Sequence, residues 1–190
     1  MLHRTIALTS VAAALICTAA LHAQSSASVE HLTFVAANAP QDGLSKDRRL
    51  SLTLTRWSTD QERDRMAAAA AEPARLLDAF RDVGGIGYLQ WPGGVEYTIR
   101  YARRTTRTDG GADITLVAER PLWIWWDANA KWAPEPGFTV LHVRVNKDGT
   151  GEGRAAATTR VRSDKEAGIA LADANAPVLL TDIRRARGGT

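Results

Sequence analysis

Residues 50–57, Leu-Ser-Leu-Thr-Leu-Thr-Arg-Trp, alternate apolar and polar side chains. In an extended chain that places Leu50, Leu52 and Leu54 on one face, so the segment predicts a half-buried strand ending at Ser58. Residues 29–35 alternate in the same way, with Leu32 and Phe34 on one face, and residues 37–48 read as a loop. At Ser58 the pattern turns helical. Ser58 offers a side-chain oxygen as N-cap, Gln61 stands at the capping-box position, and Asp60 and Glu62 suit the positive end of a helix running to about Ala71. The alanine run at 67–71 favours helix but buries little side-chain area, which predicts close packing against a neighbour. Pro73 suits the first turn of a second helix, whose apolar face is Leu76, Leu77 and Phe80 and whose left-handed end falls to Gly84.

After Gly85 the chain reads as strands and turns. Trp91-Pro92-Gly93-Gly94 separates strands at 86–90 and 95–104, and Asp109-Gly110-Gly111 leads into a strand at 114–118. An apolar segment at 122–126 precedes a loop at 127–137 holding Trp132, Pro134 and Pro136. Strands at 138–145 and 153–162 flank the turn Asn146-Lys147-Asp148-Gly149, and weaker ones follow at 169–171 and 178–183. The expectation is an α+β fold with a dominant antiparallel, strongly curved sheet or partly closed barrel, and one helical pair inserted after an early strand. Its divisions are a leader at 1–23, an N-terminal strand and loop at 24–48, a single domain at 49–185 and a frayed tail at 186–190.

The leader changes the picture most. Arg4, an apolar stretch at 6–20 and Ala23 follow the order of a secretory signal peptide, cleaved to leave Gln24 first. The stretch is shorter than the roughly 20 residues a bilayer span requires. Leu15-Ile16 before Cys17 do not fit a lipoprotein signal, so no stable membrane anchor is expected after cleavage. Cleavage removes Cys17, the only cysteine, and with it thiol catalysis, thiolate ligands and disulfides. Losing Arg4 from 24 basic residues leaves them nearly balanced by 21 acidic ones. Without a basic run, nucleic acid is not an expected partner, and the location is periplasmic or extracellular.

Six tryptophans then raise the question of a binding surface. Trp123 and Trp125 share one face of a strand, while Leu122, Ile124 and Trp126 take the other. This is either an aromatic platform for a saccharide, lipid or protein, or a strand covered on both faces. Trp91, beside a turn, and Trp132, in the proline-rich loop, are the tryptophans expected nearer solvent. Tyr97 and Tyr101 lie among Arg100, Arg103, Arg104 and Arg107, a stretch that reads as a solvated face or an anion-binding one.

Catalytic signals are few. His142 shares a strand face with Phe138, Val140 and Arg144 and is the candidate acid/base group. With His31 as the other histidine past the leader, no metal site is expected. Asp60 and Asp64 share a helix face as a carboxylate pair would, but capping and surface solvation explain them as well. Asn146, Asp148 and Thr150 resemble the start of a calcium loop whose glutamate position holds Ala157. Gly149, Gly151 and Gly153 alternate without a phosphate-binding lysine, and no cofactor is implied.

The segment Trp57-Ser58-Thr59-Asp60-Gln61-Glu62-Arg63-Asp64, with Gly87-Tyr88 and Arg100-Tyr101-Ala102-Arg103, resembles a family of secreted bacterial proteins. The resemblance implies a shared fold over most of residues 50–185 and carries no catalytic residues. The sequence thus points to a non-enzymatic binding or interaction domain with a small molecule, saccharide, lipid or envelope protein as its partner. A small hydrolase or isomerase with a spatially assembled acid/base site, and a structural component of the envelope, are the alternatives.

Overall fold

Period-two alternation is only half of a strand's requirement, because its apolar face must also be covered. In this chain a sheet closed on itself does the covering. A computed structural model describes residues 30–37, 49–91, 96–121, 137–158, 160–172 and 178–186. It contains strands β1 (Glu30–Ala36) and β2 (Arg49–Leu54), helices α1 (Asp60–Ala69) and α2 (Pro73–Asp82), then β3 (Gly87–Gln90), β4 (Glu96–Thr106) and β5 (Ala112–Ala118). Strands β6 (Phe138–Val145), β7 (Thr150–Thr158), β8 (Val161–Asp164), β9 (Gly168–Leu171) and β10 (Val178–Arg185) complete it. The barrel order is β1-β10-β7-β6-β5-β4-β3-β2, closed by β2 on β1, with every neighbour antiparallel. The fold is therefore α+β with a curved antiparallel sheet, and the barrel closes fully. The N-terminal strand is a full stave of it, between β2 and β10.

The interior follows from register. Leu32 opposes Leu52, which opposes Leu89, which opposes Tyr97, while on the far side Ile114 meets Val143 and Leu116 meets Leu141. All of these are buried, together with Phe34, Leu50, Leu54 and Ile99. An eight-stranded barrel is about wide enough for side chains to fill. On the inner face of β7, Gly151 packs where an added Cβ would stand 2.1 Å from the Arg144 carbonyl oxygen. A chain crossing a bilayer as a barrel turns apolar side chains outward and polar ones inward. Here the polarity is reversed.

One stretch of outer wall is apolar too, and it is covered. Tyr101, Val117 and Val140 are buried on the outside of β4, β5 and β6, because a bulge between Ile99 and Tyr101 shifts the β4 pleat. Helix α1 and the β8–β9 hairpin pack together over this wall, and Phe80 of α2 meets Phe138 edge to face at 5.1 Å. Tyr101 donates a 2.6 Å hydrogen bond to the Ala167 carbonyl, and its burial raises the phenol's pKa. Gly168 turns the hairpin there at φ 78°, where an added Cβ would sit 2.5 Å from the Tyr101 hydroxyl.

Four sequence expectations shift in the structure. The N-cap of α1 is Thr59, with Glu62 completing the capping box, because Ser58 is used elsewhere. The Ser58 amide donates to the Ala102 carbonyl and its hydroxyl accepts from the Ala102 amide, so the strand of residues 50–57 ends early, at Leu54, and the chain crosses to β4. Gly84 does not end α2 in a left-handed turn, since the cap is Val83 in an extended conformation whose carbonyl accepts from Arg100. The strand expected at 153–162 divides into β7 and β8. The apolar segment at 122–126 lies outside the described residues.

Candidate functional site

Strand order brings β6, β7 and β10 side by side, with β8 and β9 looped out between the last two. Their outward side chains form a grid. His142 opposes Arg154, which opposes Leu179; in the next row Arg144 opposes Glu152. Thr181 joins these on β10, and together they line an open groove of about 390 Å³. Leu179, 49% exposed, is the large hydrophobic residue left in solvent among the described residues. Beside the groove β10 is bulged: its register shifts against both β1 and β7, and Asp182 adopts φ 47°. Bulges and left-handed non-glycine residues carry a conformational cost and re-aim neighbouring side chains. Asp182 is held there by Arg49 and by Arg184, which donates to it at 2.9 Å.

The charges of the groove are unequally committed. Arg144 reaches Asp113 on β5 at 3.3 Å. The side chains of Glu152 and Arg154 make no ion pair or hydrogen bond among the described residues. His142 is half-buried, and burial is the main force lowering its pKa. Asp113 and Asp164 pull the other way, while Arg154 and Arg144 add to the lowering. The ring is therefore neutral at neutral pH, and among the described residues it makes no side-chain hydrogen bond, although Thr115 stands opposite it on β5. The groove is equipped to hold charges of both signs against an apolar edge.

The other candidate residues fall elsewhere. Trp91, expected near solvent, is 5% exposed and belongs to the core, because β3 carries it past the last barrel pair onto apolar neighbours. Tyr97 is buried with it, and burial raises its pKa. Tyr101 is sealed beneath the β8–β9 hairpin, so neither tyrosine is a stacking platform. Arg100 is bound twice to Glu119, at 2.9 and 2.7 Å, and Arg103 reaches Asp60 at 2.7 Å and the Ser58 carbonyl at 3.3 Å. These arginines fasten the helices to β4, which leaves little positive charge there for an anionic ligand. Trp123, Trp125 and Trp132 lie outside the described residues.

The acidic cluster is part of the same fastening. Glu62 accepts from Arg56 at 2.9 and 2.8 Å and from the Thr59 amide at 2.7 Å, which holds its pKa at about 2. Asp60 and Asp64 both bind Arg63. The segments carrying the resemblance, 57–64 and 100–103, thus meet in one joint between α1 and β4. Asp148 accepts from the Thr150 amide and hydroxyl in a hairpin turn with Gly149 at φ 87°, the geometry of a strand connection.

Sequence reading does not single out Glu152, Arg154, Leu179 or Thr181. A signal was available in Gly-Glu-Gly-Arg at 151–154, where charges alternate with glycine, so both charges share one face. A second unforeseen constellation is His31 on β1, whose Nδ1 lies 2.9 Å from the Thr53 hydroxyl and whose Nε2 lies 3.4 Å from the Ser51 hydroxyl. It resembles a serine–base pair without a carboxylate. Both strands have ladder partners on each side, so their amides are not free to form an oxyanion hole. Among the described residues no group of three or more His, Cys, Asp or Glu side chains is arranged to hold a metal. No described helix is long and apolar enough to cross a membrane. Compared with family models, curated proteins and solved structures, the chain matches none.

Proposed function

We propose that this protein is a non-catalytic binding domain that works in the periplasm or outside the cell and takes its ligand in the outer groove over β6, β7 and β10. The observation that carries the reading is the pair Glu152 and Arg154, opposite charges that make no ion pair or hydrogen bond among the described residues, beside exposed Leu179. Elsewhere on the barrel charged side chains are mostly paired, as with Arg100–Glu119 and Arg56–Glu62. A closed barrel offers no free strand edge, so a ligand must be held by side chains. The binding reading also fits a neutral His142.

The test is amide chemical-shift mapping of the chain from Gln24 onward against saccharides, short peptides, lipid headgroups and envelope fragments. At least one class should give saturable shifts centred on residues 142–144, 152–154 and 179–182. Saturable shifts confined to another surface, or none with any class, would overturn the reading.

A further inference from the structure

Past β10 the next stretch of outer wall, on β1 and β2, carries the His31 constellation, which stands independently of the groove. We propose that Ser51 is an acceptor site for acyl groups carried on activated esters, with His31 as its base and Thr53 as the positioning residue. Across the β1–β2 ladder His31 stands directly opposite Thr53, and Ser51 belongs to the next outward pair along, opposite Thr33. The ring therefore meets a hydroxyl with each nitrogen: Nδ1 is 2.9 Å from Thr53 Oγ1, and Nε2 is 3.4 Å from Ser51 Oγ.

A neutral imidazole donates from one nitrogen and accepts at the other. With the proton on Nδ1, the ring donates to Thr53, and Nε2 is left to accept from the Ser51 hydroxyl, the order of nucleophile, base and orienting group. Ser51 carries a primary hydroxyl, less crowded than that of β-branched Thr53, and so is the nucleophile of the two. All three side chains are half-buried on the outside of strands paired on both sides, so they stand on a rigid support that a solute can reach. The same pairing leaves no amide of these strands for an oxyanion, a loss of about 10²–10³-fold in rate. The acyl donor must therefore carry a good leaving group, as an aryl ester or thioester does. Ser51 Oγ bonds to the acyl carbon while its proton passes to His31 Nε2, and the phenolate or thiolate departs with the bonding pair and takes up that proton. Without an oxyanion hole the resulting ester hydrolyses slowly, so the chain keeps the group.

Treatment of the chain with 4-nitrophenyl acetate tests this, with the acetylated positions and their rates read by peptide mass spectrometry. Ser51 should be acetylated at least about a hundredfold faster than Ser163, an exposed serine on β8, since a positioned general base contributes about 10²–10⁴-fold. His31→Gln should bring Ser51 down to the rate of Ser163. Thr53→Val should slow Ser51, and Thr53→Ser, which restores the hydroxyl, should recover it. In denaturing urea the unsubstituted chain should lose the preference, because His31 and Ser51 are 20 residues apart and meet only through the ladder.

Acetylation of Ser51 no faster than that of Ser163 in the folded chain would overturn the proposal. So would a preference that survives urea, or one that a folded His31→Gln chain retains. Faster acetylation of Thr53 than of Ser51 would reverse the proton's place on the ring and overturn Ser51 as the acceptor, and a Thr53→Val chain as fast as the parent would overturn the positioning role. The groove is read separately, by its own ligand shifts, so failure here leaves the binding reading standing.

Discussion

The barrel has two outer walls of opposite character, which meet at β6. Over β4, β5 and β6 the outward side chains include Tyr101, Val117 and Val140, and they lie under α1 and the β8–β9 hairpin. Over β6, β7 and β10 they are His142, Arg144, Glu152, Arg154, Leu179 and Thr181, which line an open groove. His142 and Val140 are two residues apart on the same strand face and belong to different walls. The difference shows where this protein invests its polar chemistry. On the covered wall arginines are consumed as fasteners, whereas on the bare wall opposite charges stand uncommitted.

The sharpest way to separate the walls is to cut each. Phe138→Ala should destabilise the protein by about 3–5 kcal/mol, because it opens a cavity beneath Phe80, and urea denaturation would show it as a lowered midpoint. Gly168→Ala should cost about 1–3 kcal/mol, since its φ of 78° and the approach of Tyr101 both oppose a side chain. Equal stability of the Gly168 variant and the parent would mean that the hairpin does not press on Tyr101.

Thr59→Ala should cost about 1 kcal/mol by removing the α1 cap, while preserving the barrel's β-sheet circular dichroism. Glu62 adds a pH signature. Its folded pKa of about 2 lies below the ordinary 4.5, so its stabilisation is complete above pH 4.5 and is lost as pH falls toward 2. Glu62→Gln should therefore flatten the acid limb of stability in that window, and an unchanged acid limb would contradict the Arg56–Glu62 bond. At the small end, Arg154→Ala should change stability by no more than about 0.5 kcal/mol, as expected for an exposed side chain outside any network. A larger loss would make the bare wall structural.

The contrast also explains what the sequence discloses. Leu50, Leu52 and Leu54 announce their strand because the barrel interior around them is apolar, so local alternation and tertiary burial agree. Phe138–Val145 matches its expected bounds for the same reason, with Val143 and Val145 inside. At Ser58 a local rule loses to a distant one: the best-placed capping hydroxyl is taken by Ala102, 44 residues away, and the helix starts one residue later. Strand β8 is not told apart from β7 in the sequence because only Val161 of its four residues is buried. Trp91 looks exposed beside a Pro-Gly turn, yet the core it joins is assembled from strands far along the chain. The groove is the least legible feature, since Leu179 joins His142 and Arg154 only when the chain returns past β8 and β9 to lay β10 on β7.

That return has a consequence for time as well as space. The seam joins the first stave to the last, and Glu30 is bound to Arg185, 155 residues apart in the chain. No early fragment can shut the cylinder, so the rate of maturation is governed by the slow meeting of distant segments rather than by rapid local hairpins. A polypeptide emerging in order stays an open ribbon until β10 arrives. Under the location proposed above, late closure would keep the chain threadable during export.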